Sequence, residues 1–162
     1  MYLANDVVSY LMNSDGKGIA SPYLMIDSAN VDVENNEITV TKYFDVNECM
    51  YEVSNEKETF PQMLLIEIAA QGAFLLNEYI AHQNNNLNSD RDYFLAVINQ
   101  VDFYGDTYQG QNIETKVKEL RAISPYLKVS FECKVGVSKI AEGIITLMKA
   151  PSIRKVIQEG MR

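Results

Sequence analysis

The 162-residue sequence contains no tryptophan, one histidine and two cysteines. A lone histidine removes the imidazole cluster on which most transition-metal centres depend, so no metal is expected, and nothing else in the chain calls for a cofactor. Cys49 and Cys133 lie far apart, in no metal-type spacing, and two such thiols make no disulfide framework. A reducing compartment, the cytoplasm, is therefore the expected location. Positive charge is also scarce: 14 basic residues stand against 22 acidic ones, for a net charge of −8. A nucleic-acid partner needs a basic footprint and is not expected. The local excess of Arg154, Lys155 and Arg162 over Glu159 reads as a solvated tail. No apolar run approaches the ~20 residues of a membrane span, and the first residues lack the charged-then-apolar pattern of a signal peptide, so neither is expected.

What is present is a hydrophobic content of 47%, ordinary for a folded domain. The length suits one domain, placed at residues 1–150 with a tail at 151–162. Asn5 or Asp6 can cap a short helix ending in the polar loop 13–18. Residues 22–33 and 38–44 are strand candidates joined by Glu34-Asn35-Asn36-Glu37, although Asp27 is an awkward charge for a buried strand. Residues 47–59 are polar and irregular. A long helix follows over 61–82, and then four strand candidates at 93–103, 112–123, 126–135 and 140–148. Residues 116–120 and 128–135 alternate apolar and polar, the period-two signature of a half-buried antiparallel strand. The fold class is therefore α+β, with an antiparallel sheet of about six strands wrapped around one long central helix. No parallel crossover units are left over for a Rossmann-like sheet.

The most informative segment is Phe60-Pro61-Gln62-Met63-Leu64-Leu65-Ile66-Glu67-Ile68-Ala69-Ala70-Gln71. Proline opens a helix that is apolar almost all the way round, and such a helix is normally enclosed by other structure. Glu67 interrupts the apolar run, with Gln71 one turn later on the same face. A carboxylate enclosed there costs several kcal/mol unless it has a partner or a task.

These residues carry a resemblance. Phe60 to Gln71 resembles the Met-Pro-Gly-Val-Leu-Ile-Ile-Glu-Ala-Met-Ala-Gln helix start of the hotdog-fold β-hydroxyacyl-acyl-carrier-protein dehydratases, the FabA/FabZ type. Pro22-Tyr23-Leu24-Met25-Ile26-Asp27 resembles their Pro-Phe-Leu-Leu-Val-Asp, and Val46-Asn47-Glu48 the Asn-Glu before their catalytic loop. Phe94-Leu95-Ala96-Val97-Ile98 resembles Phe-Leu-Ala-Gly-Ile, and Phe103 to Asp106 falls where Phe-Arg-Arg-Pro leads toward Pro-Gly-Asp. The matches run in order over about residues 5 to 150. The resemblance implies a hotdog fold whose subunits pair their sheets edge to edge, with sites at the interface. It implies that a histidine from one subunit removes the C2 proton of a 3-hydroxyacyl thioester on acyl carrier protein. A carboxylic acid on the other subunit's helix then helps the hydroxyl leave, and a helix-start N–H holds the thioester carbonyl. Carried onto this chain, Glu67 takes the acid position, Gln71 the neighbouring polar position, and Gln62 supplies the N–H where the family has glycine.

The departure from the family is the base. Its Gly-His-Phe-Pro loop is absent, Val53 stands about where the histidine should be, and the chain's single histidine is His82. At 1.5 Å per residue His82 lies more than ~20 Å along the helix from Glu67. Glu52, Glu56 and Glu58 are carboxylates near the missing base, in a charged and wet segment. The expectation is a dehydratase-like subunit, weak or inactive alone, that works as a dimer with a dehydratase-like partner supplying the histidine. Pairs of this kind include the His-less subunits of aryl polyene type pathways. A thioesterase using Glu67 alone, or a non-catalytic subunit that binds acyl carrier protein, are the alternatives. Phe74, Leu75, Tyr79, Phe94 and Tyr104 are candidates to line an acyl pocket, although aromatics at helical spacing are more often core.

Overall fold

Pro61 has no N–H to give an intrahelical bond, and the helix starts immediately after it: α1 runs Gln62–Gln83. The computed structural model describes residues 25–45, 52–54, 57–84 and 91–151. The strands are β1 (Ser28–Asp32), β2 (Glu37–Tyr43), β3 (Glu52–Ser54) and β4 (Lys57–Thr59) before the helix. β5 (Arg91–Phe103), β6 (Asn112–Ile123), β7 (Tyr126–Val135) and β8 (Ser138–Pro151) follow it. One helix packs on a six-stranded antiparallel sheet of order β1-β2-β6-β7-β8-β5. The helix thus carries the chain from the β1–β2 end to the far edge, β5; a crossover returns it to β6 beside β2, and two hairpin steps, β6–β7 and β7–β8, fill the sheet back to β5.

The expected bounds of β6 and β7 match the structure, and those of β2, α1, β5 and β8 shift by one to three residues. Two expectations need correction. The first strand starts at Ser28, not at residue 22 (residues 22–24 lie outside the described set). Asp27 stops the ladder from extending further back: its Oδ2 accepts from Tyr43 N at 2.5 Å, and its Oδ1 lies 3.6 Å from Lys42 Nζ. The awkward charge is explained by Lys42, which the period of β2 turns inward with Ile38 and Val40. A buried ammonium needs an anion, and Asp27 supplies one. The segment 47–59 is also not wholly irregular, because β3 and β4 pair as a small ribbon of their own. Three-residue strands are too short for alternation to reveal them. The proposed helix near Asn5 and the thiol of Cys49 lie outside the described residues.

The core is the sheet face under α1. β6 sends in Ile113 and Val117, and β7 sends in Leu127, Val129, Phe131 and Cys133. From the helix come Leu65, Ile68, Ala69, Ala73, Leu75 and Leu76. Each large aliphatic side chain buried this way contributes roughly 1.5–3 kcal/mol. The helix lies close on β2 and β6: a Cβ built on Gly72 would sit 3.1 Å from Val117 Cγ2 and 3.5 Å from Val40 Cγ1. A small residue there lets the backbone approach. Among the described residues, 62–81 is one helix long and apolar enough to cross a membrane, contrary to the expectation from run length alone. Over half of its span is buried against the sheet, which accounts for its apolar character.

Cys133 sits at the centre of this core. Burial pushes its thiol up to about 12, opposed in part by the hydroxyl of Thr115, 3.3 Å from the sulfur. Thiolate is the reactive form, so Cys133 is expected to be inert. In a Cys49→Ser variant, a disulfide reagent at pH 8 should release no colour until denaturant is added; fast native labelling would contradict this burial.

Candidate active site

α1 is apolar on nearly every side, but the sheet covers only part of it. Met63 and Glu67, four residues apart, face away from the sheet; Met63 is 60% exposed and Glu67 is exposed as well. This corrects the picture of an acid enclosed in the core. In this chain Glu67 stands on an open helix face, and no burial cost needs offsetting within the monomer.

Its orientation is nonetheless fixed. Gln71 is 5% exposed, and its Oε1 accepts from the backbone N of Met25 at 2.8 Å. A backbone N–H can only donate, so the oxygen of the Gln71 amide must face Met25 and its nitrogen must turn the other way. That nitrogen donates to Glu67 Oε1 at 2.9 Å. The polarity of one main-chain group therefore sets which way a glutamine points, and the glutamine then holds one oxygen of the acid. Replacing Gln71 with Ala leaves the Met25 N–H buried without its partner. Urea unfolding should show a loss of about 1–3 kcal/mol. An unchanged midpoint would mean that water takes over the bond.

Gln62 is held differently. Its side chain Nε2 donates to Gly105 O at 3.3 Å and to Asp106 Oδ1 at 3.1 Å. Phe60 N donates to Thr107 O at 2.9 Å, and Leu64 N to Pro61 O at 2.9 Å. The loop after β5 is thus laced to the helix start. The side chain of Gln62 serves this clamp, while its backbone N–H belongs to the first turn, where helix amides lack intrahelical acceptors. Glu67 and Gln71 are brought together, and Gln62 lies five residues before Glu67, about 7.5 Å along the axis.

The acyl-pocket candidates divide. Phe74 is half-buried, two turns beyond Glu67 on the same helix face, with its ring edge-on to Tyr93 at 5.9 Å. Tyr79 is half-buried further along. Leu75 is a core residue, 1% exposed. Phe94 and Tyr104 do not belong with the helix. Phe94 alternates with Tyr93 along β5 and so faces the opposite side of the sheet. Tyr104 donates its hydroxyl to Glu142 at 2.5 Å, on that same outer side. His82 is next to last in α1, at the end remote from Glu67. Glu52 and Glu58 fall on the β3–β4 ribbon, and Glu56 lies outside the described residues. The described residues contain no group of three or more potential metal ligands.

The outer sheet face carries a groove of about 400 Å³ whose lining includes Glu37, Lys116, Lys118, Glu132 and Glu142. Its charges satisfy one another: Lys116 and Lys118 lie 2.5 and 3.0 Å from Glu37, and Lys139 lies 2.8 and 2.7 Å from Glu132 and Glu142. Lys116 and Lys118 hold the Glu37 carboxyl below its usual range, Lys134 (2.6 Å away) and then Lys139 do so for Glu132, and Lys139 for Glu142. It is a cross-strand ion ladder on the side of the sheet away from Glu67.

No protein-family model matches the sequence, and no curated protein does. The architecture, in contrast, matches solved structures, one of them over the full length of the chain. The dehydratase heterocomplex ApeI:P from Xenorhabdus doucetiae superposes with a TM-score of 0.75 at 14% identity, covering 100% of both chains. The chain has the hotdog fold. The fluoroacetyl-CoA thioesterase FlK is a second hotdog neighbour, with a TM-score of 0.60 and 11% identity over 82% of this chain and 98% of that one. A mutant form of the phenylacetic acid degradation protein PaaI from Thermus thermophilus is a third, at 0.51 and 12% over 74% and 91%. In hotdog terms α1 is the sausage, and Glu67 lies on the part of it that the chain's own bun leaves open. The spacing placed Gln71 beside Glu67; what the sequence did not reveal is the Met25 N–H that turns the Gln71 amide toward it, because a main-chain donor leaves no mark in the residue types.

Proposed function

We propose that this chain is the histidine-free half of a two-subunit 3-hydroxyacyl-acyl-carrier-protein dehydratase, with Glu67 as the acid and a dehydratase-like partner supplying the base. The observation that carries the reading is an exposed, pre-oriented Glu67 on a helix face that the chain's own sheet leaves open, in a sequence whose single histidine is far away. An acid that is held in place but faces outward is half of a shared site. β5 supports the pairing. It is thirteen residues long, ends the sheet, and exposes Phe94, Val97 and Ile98 at 43%, 48% and 43%. A long apolar edge strand is a template for another chain. The likeness to a dehydratase heterocomplex supports the same arrangement.

In this site the partner's histidine takes the C2 proton, and the Glu67 carboxylic acid delivers a proton to the departing C3 hydroxyl, which leaves as water. The electron pair of the broken C2–H bond forms the new double bond. The first-turn amide of Gln62 receives the charge that develops on the thioester oxygen. The test is to copurify the chain with a dehydratase-like neighbour from its genome and assay dehydration of 3-hydroxyacyl thioesters. Full activity of the pair without the side chain of Glu67 would remove the shared-site reading.

A thioesterase is the second reading, favoured by the hotdog thioesterase among the similar structures. A Glu67 carboxylate would then activate water, with no histidine required. Hydrolysis of acyl-CoA or acyl-carrier thioesters by the chain alone would favour it.

A further inference from the structure

The outer face of the sheet divides in two. Toward one end it carries the ion ladder of Glu37, Lys116, Lys118, Glu132 and Glu142. At the other end, where β6 turns into β7 and β8 runs out, the strand register lines up an apolar row. Ile123 stands opposite Tyr126, Tyr126 opposite Met148, and Met148 opposite Phe94. The strand neighbours Leu127 and Leu147 are core residues, so the pleat turns Tyr126 and Met148 outward. Ile123 and Tyr126 are 51% and 50% exposed. Single apolar side chains on a surface are ordinary, but a contiguous row across four strands marks a surface that something covers.

The chain itself supplies a cover. Met148 is three residues before Pro151, the last described residue. The sequence continues Ser152-Ile153-Arg154-Lys155-Val156-Ile157-Gln158-Glu159-Gly160-Met161-Arg162. At about 3.6 residues per turn, Ile153, Val156, Ile157 and Met161 fall on one stripe. Arg154, Lys155, Gln158, Glu159 and Arg162 take the remaining sides, so the charges stay in water while the apolar stripe needs a surface. Ser152 is a favoured N-cap residue. A helix this short is not stable alone in water and forms only where its apolar face is buried. From residue 153 to 161 it would be about 12 Å long. The row crosses three interstrand gaps, about 14 Å in all.

We propose that residues 152–162 fold back as an amphipathic helix over the Ile123, Tyr126, Met148 and Phe94 row of their own chain. The tether favours this occupant over a second chain, because a short connection holds the segment near the row at an effective concentration in the ~mM range. Phe94 belongs to β5, so the docked segment backs the edge strand and leaves Val97 and Ile98 to a partner. The proposal does not depend on the chemistry of Glu67.

Trypsin cuts after Arg154 and Lys155, and a docked helix resists it. In the full chain, assayed alone and in the assembly in which it copurifies, cleavage at these two sites should be at least about tenfold slower than in a synthetic peptide of residues 148–162, since proteolysis follows the open population. Ile157→Gln in the segment, and separately Tyr126→Thr or Ile123→Thr in the row, should each speed cleavage about tenfold. Ile157→Gln combined with Tyr126→Thr should go no faster than either, as expected for two sides of one contact. Circular dichroism checks that each variant is folded, and Ile157→Gln leaves the sheet itself untouched. Native cleavage as fast as that of the peptide overturns the proposal. So does acceleration by Ile157→Gln with none from either row variant, which would mean that the segment packs elsewhere. Protection that grows with protein concentration, or that needs the copurifying partner, assigns the row to another chain and overturns it too.

Discussion

Replacing Glu67 with alanine in the assembled pair should lower dehydration by about 10²–10⁴-fold, the contribution of a positioned proton donor. Stability should barely change, by less than about 0.5 kcal/mol, because Glu67 is exposed and its one hydrogen bond comes from Gln71. Gln71 keeps its bond to the Met25 N–H in the variant, so the helix face remains assembled. The contrast between a large kinetic effect and a small thermodynamic one is the signature of a residue kept for chemistry. Steady-state assays with matched unfolding curves would reveal it. The rival readings separate cleanly. A thioesterase would lose hydrolysis in the same variant when assayed alone, whereas a scaffold would tolerate Glu67→Leu with no change in the activity of its complex.

The largest stability effect should come from Gly143. It lies on β8 in register with Phe131 of β7 and Val101 of β5. A Cβ built there would stand 2.5 Å from Gln100 O, 2.8 Å from Phe131 Cε1 and 2.9 Å from Val101 Cγ2. The nearest of these is backbone, which cannot swing aside as the end of a side chain can. The crowding follows from the irregularity in β5 between Ile98 and Gln100, just before the Gln100–Ile144 pair. Gly143→Ala should therefore cost about 3 kcal/mol, the upper end of over-packing, and should loosen β5 from the sheet. Guanidinium unfolding would measure the first, and hydrogen exchange along residues 91–103 the second. A variant as stable as the parent would mean that β5 shifts its register at no cost. Because β5 is also the edge proposed to meet the partner, the same variant should weaken pairing.

Much of this fold was legible from residue types alone. β6 and β7 could be read because one of their faces is buried and the other wet, which writes a period of two into the sequence. α1 could be read because Pro61 marks its start and a mostly apolar pattern, broken by few polar residues, follows up to the polar stretch 83–86. β3 and β4 could not, since three residues leave no period to detect. The awkward charge of Asp27 finds its reason in the inward Lys42, a contact made across the sheet and invisible along the chain. Among the pocket candidates, the side of the sheet that Phe94 faces was equally hidden. Tyr93 and Phe94 are neighbours in sequence, yet the pleat sends one to the helix and the other to the outer face.

By itself the sequence determined the long strands and the helix, the carboxylate set in the first apolar turns of that helix, and the lack of a histidine before residue 82. These depend on local pattern and on simple counting. Only the tertiary structure decided that Glu67 faces outward, that Gln71 is fixed by a main-chain N–H forty-six residues away, and that Ile123, Tyr126, Met148 and Phe94 line up on the outer face. Each of these depends on which surfaces the sheet covers and which it leaves open, and that is set by contacts between segments remote in the chain.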